Sequence, residues 1–155
     1  MTLRASERDQ LAGLPLPLDL GRVRIHRAGG ARLGGWLRNL VLRLSRGRAV
    51  ALGNHVFLPA RCEGDLAVLA HELTHCAQYQ TWGPLRYFGR GAAAQCRELL
   101  HRGLGLCASP YAYQLEDGKP FDAYGMEQQG QIVEDAFRGS PAARSLTDSR
   151  CARAL

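Results

Sequence analysis

The chain has 155 residues, 46% of them apolar, and a formal net charge of +6. That length supports one buried core, read as a single domain over 1–155 with its core at about 20–138 and a flexible tail at 139–155. No run of about 18 apolar residues is present, which excludes a membrane-spanning helix, and residues 1–20 lack the apolar stretch of a signal peptide.

The charge is uneven. Residues 1–62 hold eleven arginines against Glu7, Asp9 and Asp19, a surplus of eight, whereas the remainder is slightly acidic. Such a bias suits an acidic partner surface, but no base-reading motif accompanies it, so nucleic acid is not expected as the partner. The five cysteines form no C-x-x-C pair and read as buried thiols rather than a disulfide framework or zinc knuckle.

In chain order, residues 5–12 suit a short helix capped at Ser6, and the prolines of residues 14–18 impose an extended connector. Residues 22–26 alternate as a strand with Val23 and Ile25 inward, and residues 29–35 form a glycine-broken loop. Residues 36–44 make a basic amphipathic helix whose stripe of Trp36, Leu37, Leu40, Val41 and Leu44 is expected to pack on the core. Two apolar runs around Gly53-Asn54 read as a β-hairpin over 49–58, with His55 at a solvent-facing strand end. A helix follows, capped by Asp65 and buried through Leu66, Leu69 and Leu73, with a stop and turn at 81–85. Residues 87–103 read as helix broken at Gly89 and Gly91, residues 107–120 as loop, and residues 126–137 as a helix packed through Ile132, Val133, Ala136 and Phe137. The fold class is α+β and helix-rich.

The chemistry gathers on the helix after Asp65, which carries His71-Glu72-Leu73-Thr74-His75. Four residues is about one helical turn, so both imidazoles project from one face and can share a zinc ion. Glu72 beside them is placed to act as general base toward a water rather than as a ligand. A catalytic zinc takes three protein ligands. The metzincin completion is closed, because Gln78 and Thr81 stand where Gly and His are required. Cys76 points about 100° away from His75 and is not counted. A carboxylate from the late helix is the remaining common source, with Glu127 and Glu134 seven residues apart on nearly one face.

The two-helix arrangement resembles gluzincin-type peptidases, and that resemblance favours Glu127 as third ligand, with Gln131 supporting a ligand histidine and Glu134 as the alternative ligand. Leu69-Ala-His-Glu-Leu-Thr-His75, Gly53-Asn-His-Val-Phe-Leu-Pro59, Trp82-Gly-Pro-Leu85 and Tyr124-Gly-Met-Glu-Gln-Gln-Gly-Gln-Ile-Val-Glu-Asp135 resemble a zinc-metallopeptidase domain family associated with bacterial contractile injection systems. Small Vgr-related proteins resemble it more closely still. The resemblance implies a minimal gluzincin-like domain, with a small antiparallel hairpin or sheet packed on the metal helix. It also implies zinc, a peptide or protein substrate, a secretion-spike or effector partner, and an inhibitor or immunity protein. The chain would then be made in the bacterial cytoplasm and exported by a contractile machine, as an effector or a cargo-processing enzyme. The rival expectation is a non-catalytic, zinc-stabilised docking module on a spike or toxin. Peptide hydrolysis also needs a second oxyanion donor, for which Tyr113, Tyr124 and His101 are the candidates.

Overall fold

The computed structural model describes residues 3–11, 14, 17–27 and 32–152. Among the described residues the α-helices are α1 Ala5–Gln10, α2 Arg32–Leu44, α3 Leu66–Leu104, α4 Met126–Phe137 and α5 Pro141–Ala152. The strands are β1 Arg24–His26, β2 Val50–Leu52 and β3 His55–Phe57. The architecture is α+β and helix-rich, as the patterning implies.

The hairpin forms where Gly53-Asn54 puts it, pairing β2 with β3 antiparallel in the register Val50↔Phe57, Ala51↔Val56, Leu52↔His55. The sheet as a whole is not antiparallel. β1 pairs with β3 in parallel, giving the order β1-β3-β2, because β2 runs back along the sheet after α2 and the hairpin then reverses the chain into β3. Ile25, Ala51 and Val56 project from its inner face onto Leu69, Ala70, Leu73 and Cys76 of α3. Ile132, Val133 and Ala136 of α4, with Phe121, complete the same core.

Asp65 caps α3, its carboxylate accepting from the N–H groups of Ala67 (3.1 Å) and Val68 (3.2 Å). The stop expected at 81–85 is instead a kink. Gly83 adopts φ 76°, ψ 169°, a conformation that a side chain would resist, and Pro84 re-enters the helix as a first-turn residue that needs no N–H partner. Gly89 and Gly91 stay helical.

Three further elements differ from the sequence reading. The cap of α1 is Arg4, not Ser6: Glu7 accepts the Arg4 N–H at 2.9 Å and pairs in the buried interior with Arg27 at 2.7 Å. In α2 the apolar stripe faces outward, with Trp36 67%, Leu40 41% and Leu44 78% exposed, while Leu42 is buried. Arg38 contributes to the orientation, since its Nε donates to the Leu58 carbonyl at 2.9 Å and turns that face of the helix toward β3. Residues 139–155 are not a flexible tail through 152. Ser140 accepts from Ala143 N–H (3.4 Å), Pro141 starts α5, and Ala143 and Thr147 are buried. Residue 12 of the expected first helix, residues 15 and 16 of the connector, residues 29–31 of the expected glycine loop and the side chain of Leu37 lie outside the described residues, whereas residues 32–35 of that loop begin α2.

Candidate metal centre

His71 and His75 lie one turn apart on the buried face of α3, their Nε2 atoms 3.2 Å from each other. Glu127, in the first turn of α4, brings Oε2 to 3.4 Å from His75 Nε2 and 3.9 Å from His71 Nε2. All three side chains are buried, and theirs is the one cluster of metal-ligating groups found among the described residues. A tetrahedral zinc with ligands at about 2.0–2.1 Å sets neighbouring donor atoms about 3.3–3.4 Å apart. Two sides of the observed triangle, 3.2 and 3.4 Å, lie at that edge length and the third, His71 to Glu127, is longer at 3.9 Å, so two imidazoles and one carboxylate form a donor set of the kind zinc takes.

The outer nitrogens of both rings are held. His71 Nδ1 lies 3.1 Å from Glu134 Oε2, and His75 Nδ1 lies 2.8 Å from Gln78 Oε1. Both partners accept, so each Nδ1 carries a proton and each Nε2 faces the centre, where it would offer its lone pair to a bound metal. Gln78 also donates to the Met126 carbonyl (3.1 Å) and to Gln129 (2.9 Å), whose amide donates to the Tyr124 carbonyl. This chain of amides fixes the start of α4, and with it Glu127, against α3. Arg138 grips the Glu134 carboxylate at 2.9 Å and reaches Asp65 at 3.1 Å.

Several sequence-derived assignments move. Glu134 sits on the outer nitrogen of His71 instead of at the third-ligand position, and so takes the supporting place assigned to Gln131. Gln131 is rotated off that face and donates to Asp135 at 3.0 Å. The Tyr124 hydroxyl accepts the Glu116 N–H, and the Tyr113 hydroxyl donates to Asp135. His101 contacts the Cys107 carbonyl at the far end of α3. None of these three lines the cleft over the metal centre.

What composition alone did not flag is Gly130. A Cβ there would lie 2.8 Å from His71 Nε2, so the imidazole occupies space that only glycine leaves open. A glycine inside an otherwise regular helix costs about 1 kcal/mol relative to alanine, which is the signal that something packs against it.

The cleft above the centre encloses about 1030 Å³ and is bounded by the end of α2, strand β2, the second half of α3 and α4. The edge strand along it is β2 and not β3, the strand directly before the metal helix, because β3 is central in the sheet. The Ala51 N–H is directed at Glu72, and the Tyr87 hydroxyl donates to the Ala51 carbonyl at 2.8 Å. Tyr87, Tyr111 and Arg48 line the cleft and escaped the sequence reading. The Arg48 guanidinium lies 5.0 Å from the Tyr111 ring centroid and hydrogen-bonds its hydroxyl.

Electrostatics follow from burial. Desolvation raises the Glu72 carboxyl above its usual range, opposed by the charges of His71 and His75. Burial pulls His75 down, yet its hydrogen bond to Glu127, the charges of Glu127 and Glu72 and the bond to Gln78 push it up to about 9. Burial alone would raise Glu127, but its bond to His75 and the charges of His75, His71 and Arg48 hold it below the usual range. The carboxylates thus make this pocket a place that favours positive charge.

Residues 12–83 match the family model of the eCIS core domain. A stretch of 67 residues is 43% identical to the type VI secretion system spike protein VgrG2b of Pseudomonas aeruginosa, covering 43% of this chain and 6% of that protein. No solved structure was found to match. Both matches associate the chain with contractile injection systems. The family match takes in β1 through His75 and ends before Glu127, so the third donor rests on the geometry above.

Proposed function

We propose that the chain is a zinc-dependent peptidase working with a contractile injection system, as an effector or as a processing enzyme for its cargo. One observation carries this reading. Three buried donors, two imidazoles and one carboxylate, converge on one point, while a second buried carboxylate, Glu72, lies beside them outside the ligand group. A purely structural zinc site is closed and has no use for that carboxylate.

Zinc held by His71, His75 and Glu127 would supply Lewis acidity, lowering a water's pKa to about 7 and polarising a carbonyl. Glu72 accepts the proton of the attacking water and passes it to the leaving amine. Its desolvated carboxyl, raised above the usual range, suits a group that must both take and return a proton. Glu134 and Gln78 keep the two imidazoles in the ligand tautomer, and β2 with the far half of α3 walls the peptide into the cleft. Screening unstructured protein substrates against the zinc-loaded parent and Glu72→Gln tests the reading. Turnover is expected from the parent, with a loss of at least about 100-fold in the variant at unchanged zinc content. Equal activity in the two would refute the mechanism.

The second reading, a zinc-stabilised docking module on a spike, draws on the relative's being a spike protein and on the outward stripe of α2, which lies inside the family match.

A further inference from the structure

The charges lining the cleft are unequally satisfied. Its carboxylates are Glu72, Glu98, Glu127 and Glu134. Glu72 and Glu127 belong to the metal centre, Glu134 pairs with His71 and Arg138, and Glu98 pairs with Arg102 at 3.2 Å. Arg46, Arg48 and Arg61 also line the cleft, and none of them pairs with a carboxylate among the described residues. Arg61 donates to the Gly47 carbonyl at 2.6 Å, bracing the turn that presents Arg46 and Arg48. That turn is tight: Arg46 takes φ 56° and Gly47 φ 73°, with Gly47 N–H bonded back to the Leu42 carbonyl at 2.6 Å.

Arg48 and Tyr111 have complementary spare capacity. A guanidinium only donates, so in their hydrogen bond Arg48 Nη2 is the donor and the phenol oxygen the acceptor. The phenol keeps its own proton to give elsewhere. Nε and Nη1 of Arg48 have no partner among the described hydrogen bonds, which leaves most of the fork open. Tyr111 is anchored independently of Arg48: its N–H bonds Ser109, and the next residue's carbonyl accepts from Gln128 on α4 at 2.7 Å. Burial and the charge of Glu127 push the Tyr111 hydroxyl up to about 12, so it remains a donor at neutral pH.

The geometry points to a carboxylate subsite at Arg48 and Tyr111, so that the cleft takes peptide segments carrying Asp or Glu. The guanidinium fork offers an anion a charged donor and the phenol beside it a neutral one. Leu44, Leu52, Phe88 and Leu99 at the rim accommodate apolar neighbours of that acidic residue. The inference rests on the cleft's being a peptide site, as proposed above, and goes further by naming the peptide's chemistry.

The test is fluorescence anisotropy on the zinc-loaded full chain carrying Glu72→Gln, with two labelled peptides identical except for Glu against Gln at one position. The Glu peptide is expected to bind about tenfold more tightly. Adding Arg48→Gln brings that ratio close to one, and adding Tyr111→Phe reduces it by about threefold, with zinc content and melting temperature unchanged. Tyr111→Phe decides the matter should Arg48→Gln fail to fold. A ratio near one before either change, or an unchanged ratio in both variants, overturns the subsite. So does a single-stranded oligonucleotide that displaces the Glu peptide at equal charge, which would make the arginines a phosphate site. Failure here is separable from failure of the peptidase reading. Discrimination through Arg48 without any cleavage by the parent refutes only the latter, and cleavage without discrimination refutes only the subsite.

Discussion

Two histidine pairs in this molecule have almost the same spacing and opposite surroundings. His71 and His75 hold their facing nitrogens 3.2 Å apart, and His26 and His55 hold theirs at 3.0 Å. The first pair sits on one helix, its rings edge to face, with Glu127 at the inner nitrogens and Glu134 and Gln78 on the outer ones. The second bridges the neighbouring strands β1 and β3, its rings stacked, with Phe57 lying 4.4 Å from His26. No carboxylate completes that second pair among the described residues. Burial and the charge of His55 lower His26, whereas carboxylates push His75 up to about 9. Proximity of two imidazoles is therefore cheap. What sets the first pair apart as a candidate metal centre is the carboxylates that a second helix delivers, with the amides that hold them there.

The contrast is broken most directly by removing rings from each pair. His71→Ala or His75→Ala should abolish zinc binding, an effect beyond the roughly 10- to 100-fold that loss of an outer partner costs. His26→Ala and His55→Ala should leave zinc content unchanged in metal analysis of the purified chain. Retention of zinc by His75→Ala, or its loss in His55→Ala, would reverse the assignment.

The next effect concerns the outer shell. Glu134→Ala should weaken zinc by about 10- to 100-fold in competition with a chromophoric chelator, because the His71 ring loses its orienting acceptor. Gln131→Ala should change affinity little, since that side chain contacts Asp135. Equal losses in the two variants would contradict the orientation of α4. Smaller again is Gly130→Ala. The new methyl meets His71 Nε2 at 2.8 Å, costing about 1–3 kcal/mol of strain against about 1 kcal/mol of gained helix propensity. Zinc affinity should fall while the metal-free melting temperature changes by only a few degrees, as read by thermal denaturation with and without zinc. A variant that binds zinc as the parent does would show that the ring moves aside freely.

The legible part of this chain was whatever a fixed period controls. His71 and His75 share a face because four residues make about a turn, with Glu72 next to them in sequence, and the Gly-Asn hairpin and the Asp65 cap follow equally local rules. The supporting residue was harder, because Glu127 and Glu134 share a face and only the depth of packing between α3 and α4 decides which one meets the inner nitrogens. Residue 131 satisfied a spacing and not a direction. The apolar stripe of α2 announced an amphipathic helix, yet its orientation is a matter of tertiary contacts, among them the burial of Leu42 and the bond from Arg38 to the Leu58 carbonyl. For α5 the signal was present in Ser140-Pro141, an N-cap followed by a first-turn proline, and was hidden by a run of small and polar residues. Arg48 and Tyr111 lie 63 positions apart on two connecting segments, where no period operates.

The most direct test of the central claim is the zinc content per chain of the parent protein beside Glu127→Ala. The account predicts about one zinc per parent chain and little or none in the variant, whose folded state persists by circular dichroism. A parent that takes up no zinc even when it is supplied, or a Glu127→Ala chain that binds zinc as the parent does, would contradict it.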